Sequence, residues 1–112
     1  MSVAESLVKK QLMYYNNRDL EGFLTAFADD CKIYNLADCS LIMDGKEAMR
    51  VRYAQRFLSP DLHAEIVNRI VIGNTVIDHE SVTGIGKDAP MQVAAIYEIE
   101  GDFIKKVWFV RE

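Results

Sequence analysis

Asp78 and Glu80 have the most direct claim to chemistry in this chain. They sit mid-strand between Val76 and Val82, and a strand places residues two apart on one face. A carboxyl on an inward sheet face loses water, which disfavours its charged form and raises its pKa toward the range useful for proton transfer. The two are therefore the candidate catalytic residues, as general acid or base. The competing arrangement pairs them with Arg69 or another base on a neighbouring strand, or leaves them facing water near a sheet edge. His79 points the other way, as a core or interface histidine, and His63, just after Pro60-Asp61-Leu62, enters a strand.

Other chemistries lack their residues. Only two histidines are available, and there is no Cys/His cluster, no His-Glu-x-x-His helix, no phosphate-cradling glycine loop and no Gly-x-Ser-x-Gly elbow. Metal hydrolysis and nucleotide chemistry are excluded on this basis, and no metal or cofactor is expected. A net charge of −4 argues against a nucleic-acid partner. Lys46, Arg50, Arg52, Arg56 and Arg69 cluster partly around one helix, as a solvated flank or an anion site. Cys31 and Cys39 suit a reducing cytoplasm, with a disulfide across the first hairpin as the alternative.

Three helices must position these residues. Val3, Leu7, Gln11 and Tyr14/Tyr15 recur at helical spacing, and Asp19 is a short acceptor placed to cap a second helix carrying Leu20, Phe23, Leu24 and Phe27, closed by Asp29-Asp30. Cys31, Ile33 and Asn35 then alternate as a strand, and Leu41-Ile42-Met43 forms a short extended run. Gly45-Lys46-Glu47 opens a third helix with an apolar face of Ala48, Met49, Tyr53 and Phe57, stopped at Ser59-Pro60-Asp61. From Leu62 onward β-branched runs break at Gly73-Asn74, Gly84 to Pro90 and Glu100-Gly101-Asp102, giving a four-stranded antiparallel meander. This is an α+β plan within a single domain, residues 1–112.

The order of elements resembles the nuclear transport factor 2-like superfamily, the cone-shaped fold that includes ketosteroid isomerase and SnoaL-like polyketide cyclases. The resemblance spans nearly the whole chain. It rests on Asn16-Asn17-Arg18-Asp19-Leu20, Phe27-Ala28-Asp29-Asp30, Gly45-Lys46-Glu47-Ala48-Met49, Val76-Ile77-Asp78-His79-Glu80 and the Gly101 hairpin before Lys106-Val107-Trp108-Phe109. It implies three N-terminal helices packed on a curved, mainly antiparallel sheet. It also implies a test, because ketosteroid isomerase needs a tyrosine, an aspartate base and a protonated aspartic acid around one carbonyl. The matching positions here are Gln11, Asn35 and Ala95, or Tyr97 after a two-residue slip. The isomerase proton acceptor is missing, although Tyr53 matches a pocket tyrosine of that family.

In such a fold the core is commonly hollow. Gln11, Tyr15, Asn35, Tyr53, Phe57 and Tyr97 are the expected ligand-binding residues, suited to a small, mostly apolar molecule carrying a carbonyl or hydroxyl. Trp108, with Lys106 and Val110, lies on the strand face opposite Val107 and Phe109. Both faces carry large apolar groups, so a homodimer through the outer sheet face is expected. No apolar run approaches the roughly 20 residues of a membrane span, and a soluble cytoplasmic protein with no membrane partner is expected. Three functions follow: a SnoaL-like protein acting as acid/base lyase, isomerase or cyclase on a hydrophobic metabolite, a non-catalytic ligand-binding or sensor domain in which Asn35 orients the ligand, or a protein-interaction module.

Overall fold

The computed structural model describes residues 2–112. Ser2 starts the first helix, α1 (Val3–Asn16), by accepting the Glu5 N–H at 3.1 Å, which satisfies a donor that the first helical turn leaves unpaired. The buried stripe is Ala4, Val8 and Gln11, with Leu7, Tyr14 and Tyr15 half-buried beside it. Val3, expected within the stripe, is exposed.

Asp19 caps α2 (Leu20–Leu24) as its side chain predicts, accepting the Gly22 N–H at 3.0 Å. The helix is shorter than its spacing implied. Phe27 instead opens β1 (Phe27–Asn35), where it pairs with Ile104 on a parallel ladder while the Ile104 N–H donates to the Ala26 carbonyl at 2.9 Å. So short a helix offers few internal bonds against such a ladder. Asp29 and Asp30 therefore lie in a strand, paired with Lys46 at 3.4 Å and Lys105 at 2.7 Å, and do not close a helix.

β1 turns into β2 (Ser40–Asp44) as an antiparallel hairpin. Cys31 is buried, Cys39 is exposed and both are free, so the disulfide alternative does not hold. The third helix, α3 (Lys46–Arg56), leads to the meander of β3 (His63–Ile72), β4 (Thr75–Thr83), β5 (Met91–Glu100) and β6 (Phe103–Arg111). The six strands form one sheet in the order β2-β1-β6-β5-β4-β3, with β1 and β6 the parallel pair. Register shifts between Ile33 and Tyr34, Ile66 and Asn68, and Glu98 and Ile99 add local twist and bend to the sheet. No described helix is long and apolar enough to cross a membrane.

Burial alternates cleanly along β5: Val93, Ala95, Tyr97 and Ile99 are buried, whereas Gln92, Ala94, Ile96 and Glu98 are half-exposed on the other face. The core is divided. One cluster contains Val8, Phe23, Phe27, Ile33, Met49, Ile104 and Val107, and a smaller one contains Leu62, Ala64, Val82 and Val93. Tyr15, Phe57 and Phe109 touch both. Asn16 fastens α1 to β3 beside the smaller cluster. Its Nδ2 donates to the Ala64 carbonyl at 3.0 Å and its Oδ1 accepts the Ala64 N–H at 2.8 Å.

Candidate functional site

Strand β4 turns Val76, Asp78, Glu80 and Val82 inward, so two carboxyls occupy positions that the period-two pattern otherwise gives to core residues. Their environments differ. Asp78 is fully buried and takes both arms of the Arg69 guanidinium, Nε to Oδ1 at 2.6 Å and Nη2 to Oδ2 at 2.8 Å. The two residues are direct cross-strand partners between β3 and β4. A bidentate pair of this kind engages both carboxylate oxygens.

Glu80 has no such partner. Burial and the neighbouring Asp78 charge push its pKa up from 4.5 to about 7, against the opposing pull of the Tyr97 hydrogen bond and Arg69. The Tyr97 hydroxyl donates to Glu80 Oε2 at 3.3 Å and accepts from Gln11 Nε2 at 3.3 Å. Desolvation and the Glu80 charge raise the Tyr97 pKa well above its ordinary value, so the hydroxyl keeps its proton. Residues from α1, β4 and β5 thus converge on one carboxyl poised between its two protonation states at neutral pH.

This polar group forms one part of a cavity of about 60 Å³ at the seam between the two core clusters. It has room for about two water molecules, at about 30 Å³ each in the liquid. Phe23, Phe27, Ile33, Val82, Val93 and Val107 supply apolar wall, and Tyr15, Tyr53, Arg56, Phe109 and Arg111 also line it. Phe23 holds the aromatic side in place, with ring centroids 4.7 Å from Tyr53 and 4.9 Å from Phe27. Burial raises the pKa of both Tyr15 and Tyr53, while the adjacent Arg56 opposes the rise at each.

Comparison with known families finds a match to the SnoaL-like domain over residues 8–107. The chain belongs to the SnoaL-like domain family. Among solved structures, this SnoaL-like domain is similar to an uncharacterised cystatin-fold protein from Novosphingobium aromaticivorans, at 31% identity and TM-score 0.86, covering 99% of both chains. It also shares its fold with a putative ketosteroid isomerase from Kribbella flavida, at 16% identity and TM-score 0.83, covering 98% of this chain and 78% of that one. A putative polyketide cyclase from Sinorhizobium meliloti aligns at 14% identity and TM-score 0.81, covering 98% and 100%. No curated protein matches the sequence.

Of the residues expected to form a site in this SnoaL-like domain, Gln11, Tyr15, Tyr53, Glu80 and Tyr97 line the cavity. Three do not. Asp78 is held by Arg69 and is absent from the lining. Asn35 follows the register shift after Ile33 and borders an adjoining groove with Ala37, Ser40 and Ile42, which shares Phe109 and Arg111 with the cavity. Phe57 packs behind the wall, 5.4 Å from Tyr15 and 5.5 Å from Phe23 between ring centroids. Of the positions matched to ketosteroid isomerase, Gln11 and Tyr97 meet in the cavity, Ala95 pairs with Asp78 on the adjacent strand, and Asn35 is absent from the lining. His79 is an exposed residue within 2.6 Å of Gln92 Oε1, not a core histidine.

Sequence reasoning left out Arg111. The signal was present in the alternation Val107, Phe109, Arg111, which carries the inward face of β6 to the end of the strand. Arg56 was recognised only as one member of a basic cluster.

Proposed function

We propose that this SnoaL-like protein binds a small, mostly apolar molecule in the Glu80 cavity and acts on it by acid/base chemistry, as an isomerase, lyase or cyclase. The observation that carries this reading is a single buried carboxyl with a pKa of about 7, held by Tyr97 and facing an aromatic-walled cavity. Glu80 takes a proton from carbon or returns it; Tyr97 donates its one O–H to the carboxyl, Gln11 Nε2 donates to Tyr97, and the second Nε2 hydrogen of Gln11 is left for a ligand carbonyl or hydroxyl. Asp78 acts through Glu80 by its charge and touches no ligand.

Proton removal next to a carbonyl is the elementary step that such reactions share. A panel of small acyclic ketones and enones in D₂O, followed by proton NMR, reads that step directly. Protein-dependent exchange that Glu80→Gln abolishes supports the reading. Exchange that survives the substitution, or none across the panel, overturns acid/base catalysis.

The partner proposed for the outer sheet face is a second copy of the chain. Tyr34, Trp108, Ile96, Ile77 and Ile70 lie in register across five strands on the face away from the helices, and Tyr34 stacks on Trp108 at 4.3 Å. This row gives a C₂ pair a continuous apolar seam. Light scattering at micromolar concentration is expected to give a dimer mass that Ile96→Asp halves; a monomeric wild type overturns the proposal.

A further inference from the structure

We infer that the natural ligand carries a carboxylate, which Arg56 and Arg111 hold at the mouth of the cavity while the apolar remainder reaches toward Glu80. The inference rests on the ligand-cavity reading above and adds the substrate class. The two arginines come from opposite sides, Arg56 from the last turn of α3 and Arg111 from the end of β6. Both line the Glu80 cavity and also the two open grooves outside it, one with Met43, Arg52 and Gln55, the other with Ser59, Ile85 and Lys87. They therefore stand where the enclosed space meets solvent.

Lys46 pairs with Asp29, Arg50 with Glu21 and Glu47, and Arg69 with Asp78. Among the described residues no ion pair involves Arg56 or Arg111. Among the same residues, ion pairs leave Lys10, Arg18, Arg52, Lys87 and Lys106 free as well, but of the free basic residues Arg56 and Arg111 are the two that line the Glu80 cavity. Glu112, the acidic neighbour of Arg111, accepts the Gln92 N–H at 2.8 Å. On a chain of net charge −4, the mouth thus keeps unpaired cations.

The guanidinium groups are also placed for recognition. The Arg111 guanidinium carbon lies over the Phe109 ring at 5.0 Å, a cation–π contact beside the cavity lining. Arg56 is half-buried beside Tyr15. A planar guanidinium matches a carboxylate through two parallel hydrogen bonds, whereas an amide offers neither the charge nor the second acceptor. The 60 Å³ interior is too small for an aromatic ring, which needs a cavity of about 150 Å³, so the ligand is a short-chain carboxylic acid whose charged end remains in the mouth.

The test titrates the intact protein with matched short-chain pairs, propionate against propionamide and butyrate against butyramide, followed by amide chemical shifts in ¹⁵N-labelled protein. Both carboxylates are expected to bind, with shifts at Arg56, Arg111 and Tyr97. Arg56→Gln and Arg111→Gln each weaken carboxylate binding by about tenfold and leave amide binding unchanged, while Arg56→Lys recovers part of the loss. Thermal melts establish that the variants fold. Amides that bind as tightly as carboxylates, or carboxylate binding indifferent to both arginines, overturn the anion inference and leave the ligand cavity standing. Binding of neither series overturns the ligand-cavity reading itself, and this inference with it.

Discussion

The Tyr97 hydroxyl donates to Glu80 Oε2 across 3.3 Å, from one inner-facing position of β5 to another of β4. Because both groups are buried, the bond joins a phenol that keeps its proton to a carboxyl that titrates near neutrality.

That pairing makes stability depend on pH. The Glu80 pKa is about 7 in the folded protein against 4.5 for an ordinary glutamate, so between those values the folded state binds a proton that the unfolded chain releases. The contribution is fully present below about pH 4.5 and is lost as pH rises through about 7. Glu80→Gln removes the slope. Denaturant titrations at about pH 5 and about pH 8 are expected to show wild type losing on the order of 2 kcal/mol more than the variant. Equal losses would place Glu80 in a water-like environment.

Arg69 and Asp78 predict an asymmetric pair of variants. Arg69→Met leaves the fully buried Asp78 carboxylate without its partner and is expected to destabilise the protein by about 3 kcal/mol. Arg69→Met combined with Asp78→Leu regains most of that loss, because it removes both charges together. Urea midpoints of the single and double variants decide it, and a double variant as unstable as the single one refutes the account.

Asn16 closes a two-bond ring with the Ala64 backbone. Asn16→Ala removes both bonds and is expected to lower stability by about 1–3 kcal/mol. Hydrogen exchange provides the discriminating measurement: the Ala64 amide should lose protection beyond the change in global stability. Uniform loss across the sheet would assign Asn16 no local role.

Gly84 and Gly86 both have positive φ, +77° and +81°, yet they differ in their surroundings. A Cβ at Gly84 would stand 2.1 Å from the Asp61 carbonyl oxygen, whereas one at Gly86 meets nothing within 4 Å. Gly86→Ala is expected to cost about 1 kcal/mol of left-handed strain, and Gly84→Ala clearly more, since backbone must move. Melting temperatures ranked the other way would remove the close approach.

Much of the architecture was legible locally. Asp19 as a cap, the Gly73-Asn74 and Gly101-Asp102 turns and the period-two alternation of the last strands depend on neighbours only a few residues away, so the order of elements and the placement of Asp78 and Glu80 on one strand face followed from the chain itself, while packing decided that this face is the inner one. Pairing across the fold decided the rest. Phe27 left its helical pattern because Ile104, far along the chain, offered a parallel ladder. Asp78 and Glu80 have equivalent strand spacing, and only the position of Arg69 on β3 and of Tyr97 on β5 made one an ion-pair partner and the other a titrating cavity group. Arg56 and Arg111 meet at one mouth although 55 positions separate them (111 − 56). Charge and burial are properties of the assembled surroundings, so local sequence placed these side chains on their faces, and tertiary packing set their chemical states.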